Sequence, residues 1–198
     1  MPLIDENNFR EFAKETLTAL AQFQESLTMA VRVITTDHSY IHDGIGFSAN
    51  DKRTMTPGQT AKISIKTPSS ALGTFIHFRP AEIITSGDNL TATLYEDNSE
   101  VTAGGTITAY NRNRTNSYSS QLTLKSTATI TTAGTAIDAY YVGGGTSGGK
   151  NSLGAEISSE HEIVLKQNSN YSLVVYNGST SSNTVFIKIF WYEEEQGG

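Results

Sequence analysis

From Val31 onward the chain alternates apolar and polar residues with a period of two over short stretches, which predicts β-strands. Ala61-Lys-Ile-Ser-Ile-Lys66 places Ile63 and Ile65 on one face and Lys62 and Lys66 on the other. Val31–Ile34 opens the series, and Thr74–Arg79 and Leu90–Tyr95 repeat the pattern. Further strands are expected at 121–125, 127–131, 137–142, 161–166, 171–176 and 184–192. Gly104-Gly105 and Asn177-Gly178 fit tight turns, because glycine tolerates positive φ. Roughly ten short strands with frequent turn signals predict a mainly β protein, an antiparallel β-sandwich or jelly roll. Helical patterns do not alternate with the strands, which disfavours a doubly wound parallel sheet.

The first 30 residues follow a different rhythm. Asn8-Phe-Arg-Glu11 has capping-box form, and Phe9, Ala13, Leu17, Leu20, Phe23, Leu27 and Ala30 recur at spacings of three and four. The spacing predicts an amphipathic N-terminal α-helix over 8–31. Its apolar stripe, with Phe9, Leu20, Phe23 and Leu27 as candidate contacts, either lies on the β body or joins copies in a helical bundle. Thr16 interrupts the seam. The expected organisation is therefore a helix over 1–31 and a β-sandwich over 32–198.

Composition narrows the functional classes. A chain of 198 residues can bury a core without staples. It has no cysteine, so a disulfide framework or a thiolate metal site is ruled out. A net charge of −6 is the wrong sign for neutralising phosphates, so nucleic acid is not an expected partner. No apolar stretch approaches the ~20 residues needed to span a bilayer. The start, Met1-Pro-Leu-Ile-Asp-Glu6, has no signal-peptide pattern. Only 17% of residues are charged, so the surface is polar without being strongly charged, as suits a crowded assembly.

Candidate chemistry is sparse. Gly144-x-x-x-x-Gly149-Lys150-Asn151 resembles a phosphate-binding loop, but Asn151 stands where Ser or Thr would hold magnesium, and no helix is expected to follow. His38 and His42 share a face if they lie on a strand, yet no third ligand is identifiable, and His77 and His161 look isolated. No Gly-x-Ser-x-Gly elbow occurs. Glu82, Asp88, Glu96 and Asp97 cannot be paired by spacing as glycosidase carboxylates, and Glu193-Glu-Glu195 reads as a solvated end. Asn89, Asn113, Asn170 and Asn177 head glycosylation sequons that composition alone would generate. The expectation is a non-enzymatic protein without cofactor or metal. Tyr140, Tyr141 and Trp191 could stack on sugars or fill the core.

Two long loops are candidate contact surfaces. In Asn111–Ser120, Arg112 and Arg114 alternate with asparagines, including Asn113, beside Tyr110 and Tyr118. Arginine among aromatics suits an interface, because a planar guanidinium stacks and hydrogen-bonds at once. The glycine loop over 143–154 contributes Gly144 and Lys150. The run Leu94-Tyr-Glu-Asp97, followed by Val101-Thr-Ala-Gly-Gly-Thr-Ile-Thr-Ala-Tyr-Asn-Arg-Asn-Arg-Thr-Asn-Ser117, resembles small virion proteins of tailed bacteriophages. Ile41–Phe47, His77–Pro80, the glycine loop, Glu162–Asn168 and Phe190–Glu193 extend the resemblance over roughly 31–195. It implies a capsid decoration, or cement, protein: a β-sandwich, often a homotrimer, assembled in the host bacterial cytoplasm and bound to the major capsid protein and other virion proteins on the phage head. A head or neck fibre, or a tail-associated adhesin touching the host surface, is the alternative.

Overall fold

In the structure, a computed structural model that describes residues 36–87, 89–102, 104–142 and 162–195, the alternating segments form two packed antiparallel sheets. The helix expected over 8–31, the strand at 31–34, the glycine loop and His161 lie outside the described residues. The chain divides into two units, 1–39 and 40–198, and every strand among the described residues belongs to the second.

A short helix, α1 (Thr36–His42), leads into β1 (Gly46–Met55), β2 (Thr60–Lys66), β3 (Thr74–Thr85) and β4 (Leu90–Glu96). An intervening segment carries β5 (Ser99–Thr102), β6 (Gly105–Ile107), β7 (Tyr110–Asn111), β8 (Thr123–Ser126) and β9 (Thr129–Thr132). Then come β10 (Thr135–Val142), β11 (Ile163–Leu165), β12 (Asn170–Asn177) and β13 (Asn183–Glu195). Sheet one has the order β11-β3-β13-β1-β7, sheet two the order β10-β4-β12-β2-β8-β6, and β5 with β9 makes a separate ribbon.

The strand order identifies a jelly roll. Leaving the segment between β4 and β10 aside, β1 pairs with β13, β2 with β12, β3 with β11 and β4 with β10. Each pairing joins strands equally far from the two ends of the series. The eight strands are thus one long hairpin rolled up so that successive pairs fall alternately in sheet one and sheet two. The segment between β4 and β10 then widens both sheets on one side, through β7 beside β1 and β8 with β6 beside β2.

One apolar cluster fills the space between the sheets. Phe47, Phe78, Ile83, Val185, Ile187 and Trp191 from sheet one meet Ile63, Ile65, Leu94, Tyr171, Leu173 and Val175 from sheet two. Burying each such side chain stabilises the fold by about 1.5–3 kcal/mol, so alternation over this many strands decides the architecture.

The local expectations needed correction in four places. His38 and His42 lie on α1, not on a strand, although a spacing of four still gives them one helical face. Gly104 serves close packing and not a tight turn, because a Cβ there would lie 1.4 Å from the Ser126 carbonyl oxygen. Asn177-Gly178 begins a longer connection that carries the chain from sheet two to sheet one. Glu193 is buried, not solvated.

Candidate functional site

The Asn/Arg loop is built from the inside by its asparagines. Asn111, on β7, is buried and donates from Nδ2 to the Gly44 carbonyl at 2.7 Å and the Tyr118 carbonyl at 3.1 Å. Its Oδ1 accepts from the Asn113 amide at 2.9 Å. Asn113 donates to the His42 carbonyl at 3.0 Å and accepts from the Thr115 amide and hydroxyl at 3.2 and 2.7 Å. Asn116 accepts from the Tyr118 amide at 2.7 Å. Every one of these bonds except that from the Thr115 hydroxyl satisfies a backbone group that an irregular loop would otherwise leave to water.

That scaffold turns the arginines outward. Arg112 and Arg114 are exposed, with Arg112 5.6 Å from the Phe190 ring centroid and Arg114 5.8 Å from that of Tyr110. Arg114 also reaches the Asn111 carbonyl at 3.5 Å. Among the described residues neither guanidinium forms an ion pair with a carboxylate. Tyr110 is exposed beside them. Tyr118 turns the other way, packing on the core with its ring 5.9 Å from Phe47. Burial there, together with the charges of Glu193 and Glu195, pushes its hydroxyl pKa up. The loop thus presents Tyr110, Arg112 and Arg114, while Asn113 and Tyr118 hold it in shape. Phe9, Leu20, Phe23, Leu27, Gly144 and Lys150 lie outside the described residues.

Glu193 locks the far end of this loop. It accepts from the Ser120 hydroxyl at 2.6 Å, the Gln121 amide at 3.0 Å and Trp191 Nε1 at 3.0 Å. Trp191 itself is a core residue, 5.7 Å from Phe47 in a stacked pair. Tyr140 packs against the core, and burial drives its hydroxyl pKa well above the ordinary value. Of the three aromatics considered for sugar stacking, only Tyr141 is well exposed, at 60%.

A polar cluster that the sequence hid lies on the outer face of sheet one. His77, far from isolated, has Nδ1 2.8 Å from Glu162 Oε1 and Nε2 3.3 Å from Glu194 Oε2. The Tyr192 ring stacks on His77 at 4.3 Å and on Tyr40 at 3.9 Å. Tyr192 donates to Glu162 at 2.6 Å, and Arg79 Nε lies 3.8 Å from the same carboxylate. Burial, then the bonds to Glu162 and Tyr40, pushes the Tyr192 hydroxyl pKa upward. The cluster fastens the end of α1 and the approach to β11 onto sheet one. The pairing of β11 with β3 creates it, and no local signal marks that pairing. Among the described residues no three His, Asp or Glu side chains are grouped to hold a metal, and no helix is long and apolar enough to cross a membrane.

No protein-family model matches the chain, and neither does any curated protein. The functional reading therefore rests on the residues themselves.

Proposed function

We propose that this chain is a non-enzymatic bacteriophage virion protein, a capsid decoration protein that binds the outside of the head shell as a homotrimer. The observation that carries the reading is the Asn/Arg loop, in which the asparagines are committed to backbone and two arginines are held on aromatic rings without a carboxylate partner among the described residues. A rigid, pre-organised cationic contact loses little entropy on docking. The likeness of its sequence to small virion proteins of tailed phages points the same way, and so does a jelly-roll body that presents edges and loops to neighbours.

Mass action supplies the mechanism. A ligand that binds the mature shell and not its disassembled subunits stabilises the shell by RT ln(1+[L]/Kd) at every site. A trimer that engages several shell subunits at once adds multivalency. Replacing Arg112 and Arg114 together with alanine is expected to lower occupancy on purified shells at limiting concentration by about tenfold or more, since Arg anchors are often worth over ~1 kcal/mol each. Unchanged occupancy in that co-sedimentation measurement would remove the loop from the contact.

One observation favours the adhesin alternative. Tyr141 and Tyr176 are both exposed and both oppose Thr91 on the outer face of sheet two, from its two sides. Two rings about 10 Å apart across three strands make a flat platform of the kind sugars stack on. Glycan-array binding that Tyr141→Ala abolishes would favour this reading over shell decoration.

A further inference from the structure

The outer face of sheet one carries aromatic rings where a solvated sheet ordinarily carries polar side chains. Ser48, Asn50 and Lys52 alternate with the buried Phe47 and Ala49 on β1, so they point away from the core. Directly opposed residues in an antiparallel pair project to the same side. Ser48 opposes both Phe190 of β13 and Tyr110 of β7, and Lys52 opposes Phe186 of β13. Tyr110, Phe190 and Phe186 therefore share this outer face. Tyr110 and Phe186 stay 46% and 42% exposed, the kind of apolar surface that marks a contact.

A cation of the chain itself sits on each ring. The Arg112 and Arg114 contacts with Phe190 and Tyr110 have a third counterpart in Lys52, whose ammonium lies 5.0 Å from the Phe186 centroid. Among the described residues Lys52 forms no ion pair, and like the two guanidiniums it meets no carboxylate. The carboxylates of this face are engaged elsewhere. Lys188 holds Glu82 at 3.1 Å, Arg79 and Tyr192 hold Glu162, and Glu194 stands at the far end beside His77. Three positive charges thus go unanswered on one face of a chain whose net charge is −6. They form two spots, one around Phe190 and Tyr110 and one at Phe186, and the four residues of β13 between them span about 13 Å. The neutral Lys188–Glu82 pair lies midway.

We infer that this face binds an acidic segment of a second protein, one that presents carboxylates at two points about 13 Å apart and an apolar side chain to Tyr110 and Phe186. The guanidinium forks take carboxylates in bidentate pairs, and Lys52 adds a point charge. Rings that already hold the cations in place leave less ordering to be done on docking. A single-stranded nucleic acid fits the face less well. Its phosphates recur along the whole strand, so some would fall on Glu82, and the net charge of the chain repels a polyanion at long range. The inference rests on reading the Asn/Arg loop as a protein contact. It extends that contact across sheet one to Lys52 and Phe186 and names the chemistry of the surface it meets.

The test is an amide-resolved NMR titration of the full chain with the peptide Glu-Glu-Leu-Ser-Leu-Glu-Glu. The same peptide with glutamine for every glutamate is the charge control, and a ten-nucleotide oligothymidylate is the nucleic-acid arm. Shifts confined to β7, the Asn/Arg loop and the facing parts of β1 and β13 are expected, saturating with a dissociation constant of about 1 mM. The glutamine peptide and the oligothymidylate should bind at least about tenfold more weakly. Lys52→Gln, a change on the exposed face, is expected to weaken peptide binding about two- to fivefold while the rest of the amide map stays in place. No shift at about 10 mM peptide, an equal response to the glutamine peptide, or undiminished binding by Lys52→Gln would overturn the inference. Tighter binding of the oligothymidylate would overturn it in favour of nucleic acid. Co-sedimentation with purified shells separates this inference from the shell reading. Occupancy that falls for the Arg112 and Arg114 variant but not for Lys52→Gln removes the extension and leaves shell attachment standing. Peptide binding with shell occupancy unchanged in both variants keeps the acidic partner and removes the shell.

Discussion

Asn177 ties two crossings between the sheets with one side chain. Its Nδ2 donates to the Met55 and Thr56 carbonyls, at 3.0 and 3.1 Å, where the chain leaves β1 for β2. The same nitrogen reaches the Ser181 carbonyl at 3.0 Å, where the chain leaves β12 for β13. Its Oδ1 accepts from the Ser179 amide and hydroxyl and from Asn183 Nδ2. Two protons serve three carbonyls, so one is shared, and the residue is fully buried. Asn177→Ala leaves several buried polar groups without partners, and a loss of about 2–4 kcal/mol is expected in urea unfolding. A loss below about 0.5 kcal/mol, typical of a surface site, would show that water replaces the amide. The sequence marked the Asn-Gly pair as a turn. It could not mark the second crossing, because Met55 and Thr56 lie more than a hundred residues away.

Among the elements, legibility followed the side chains that face the core. β2, β4 and β12 place an aliphatic residue or tyrosine at most inward positions, and their pattern was plain. β1 was missed because Asp51 and Arg53 interrupt its inward row, so the core pattern is broken at mid-strand. β3 was expected to end before Pro80, but the strand continues to Thr85, with a register shift against β13 between Arg79 and Glu82 that accommodates a residue lacking an N–H. In the Asn/Arg loop, composition only raised the expectation of a contact surface, whereas the division into outward arginines and inward asparagines came from the position of β7 beside β1. The β8–β9 connection stores strain at Thr127, whose amide bonds to the Lys62 carbonyl at 3.1 Å and so keeps the positive φ. Left-handed backbone costs a β-branched residue about 1–2 kcal/mol, partly offset by the chain entropy of glycine. Thr127→Gly is therefore expected to raise the melting temperature by about 2 °C. A fall of that size in calorimetry would mean that the Thr127 hydroxyl bond to the Ser126 carbonyl outweighs the strain.

For the whole molecule, the rolled hairpin fixes how the fold responds to pH. Tyr140, Tyr171 and Tyr192 have hydroxyl pKa values raised above the ordinary 10.0, chiefly by burial. The unfolded chain ionises these groups near their ordinary value, and the folded chain resists. Their contribution is therefore fully present below that value and is lost as pH rises above it. The melting temperature should decline from about pH 10 upward, with the phenolate absorbance of these tyrosines appearing only as the chain unfolds. A melting temperature that stays flat while all 9 tyrosines titrate normally would contradict the burial argument. At the acid end, the Lys166 hydrogen bond holds the Glu96 pKa below its ordinary 4.5, so that part of the stability is present above this value and disappears as pH falls through the lower one.

The pairing of first strand with last was not legible at all, because strand order is a property of the closed sandwich and of no local pattern. Functional assignment has the same limit, since the adhesion to neighbours proposed for this chain would leave no catalytic geometry to find. The most direct measurement is high-resolution imaging of particles assembled with this protein. A passive decoration protein predicts eight-stranded density at repeated symmetry positions over the shell, with the Asn/Arg loop facing the capsid. Particles that lack the protein altogether, or carry it at a single vertex, would contradict that account.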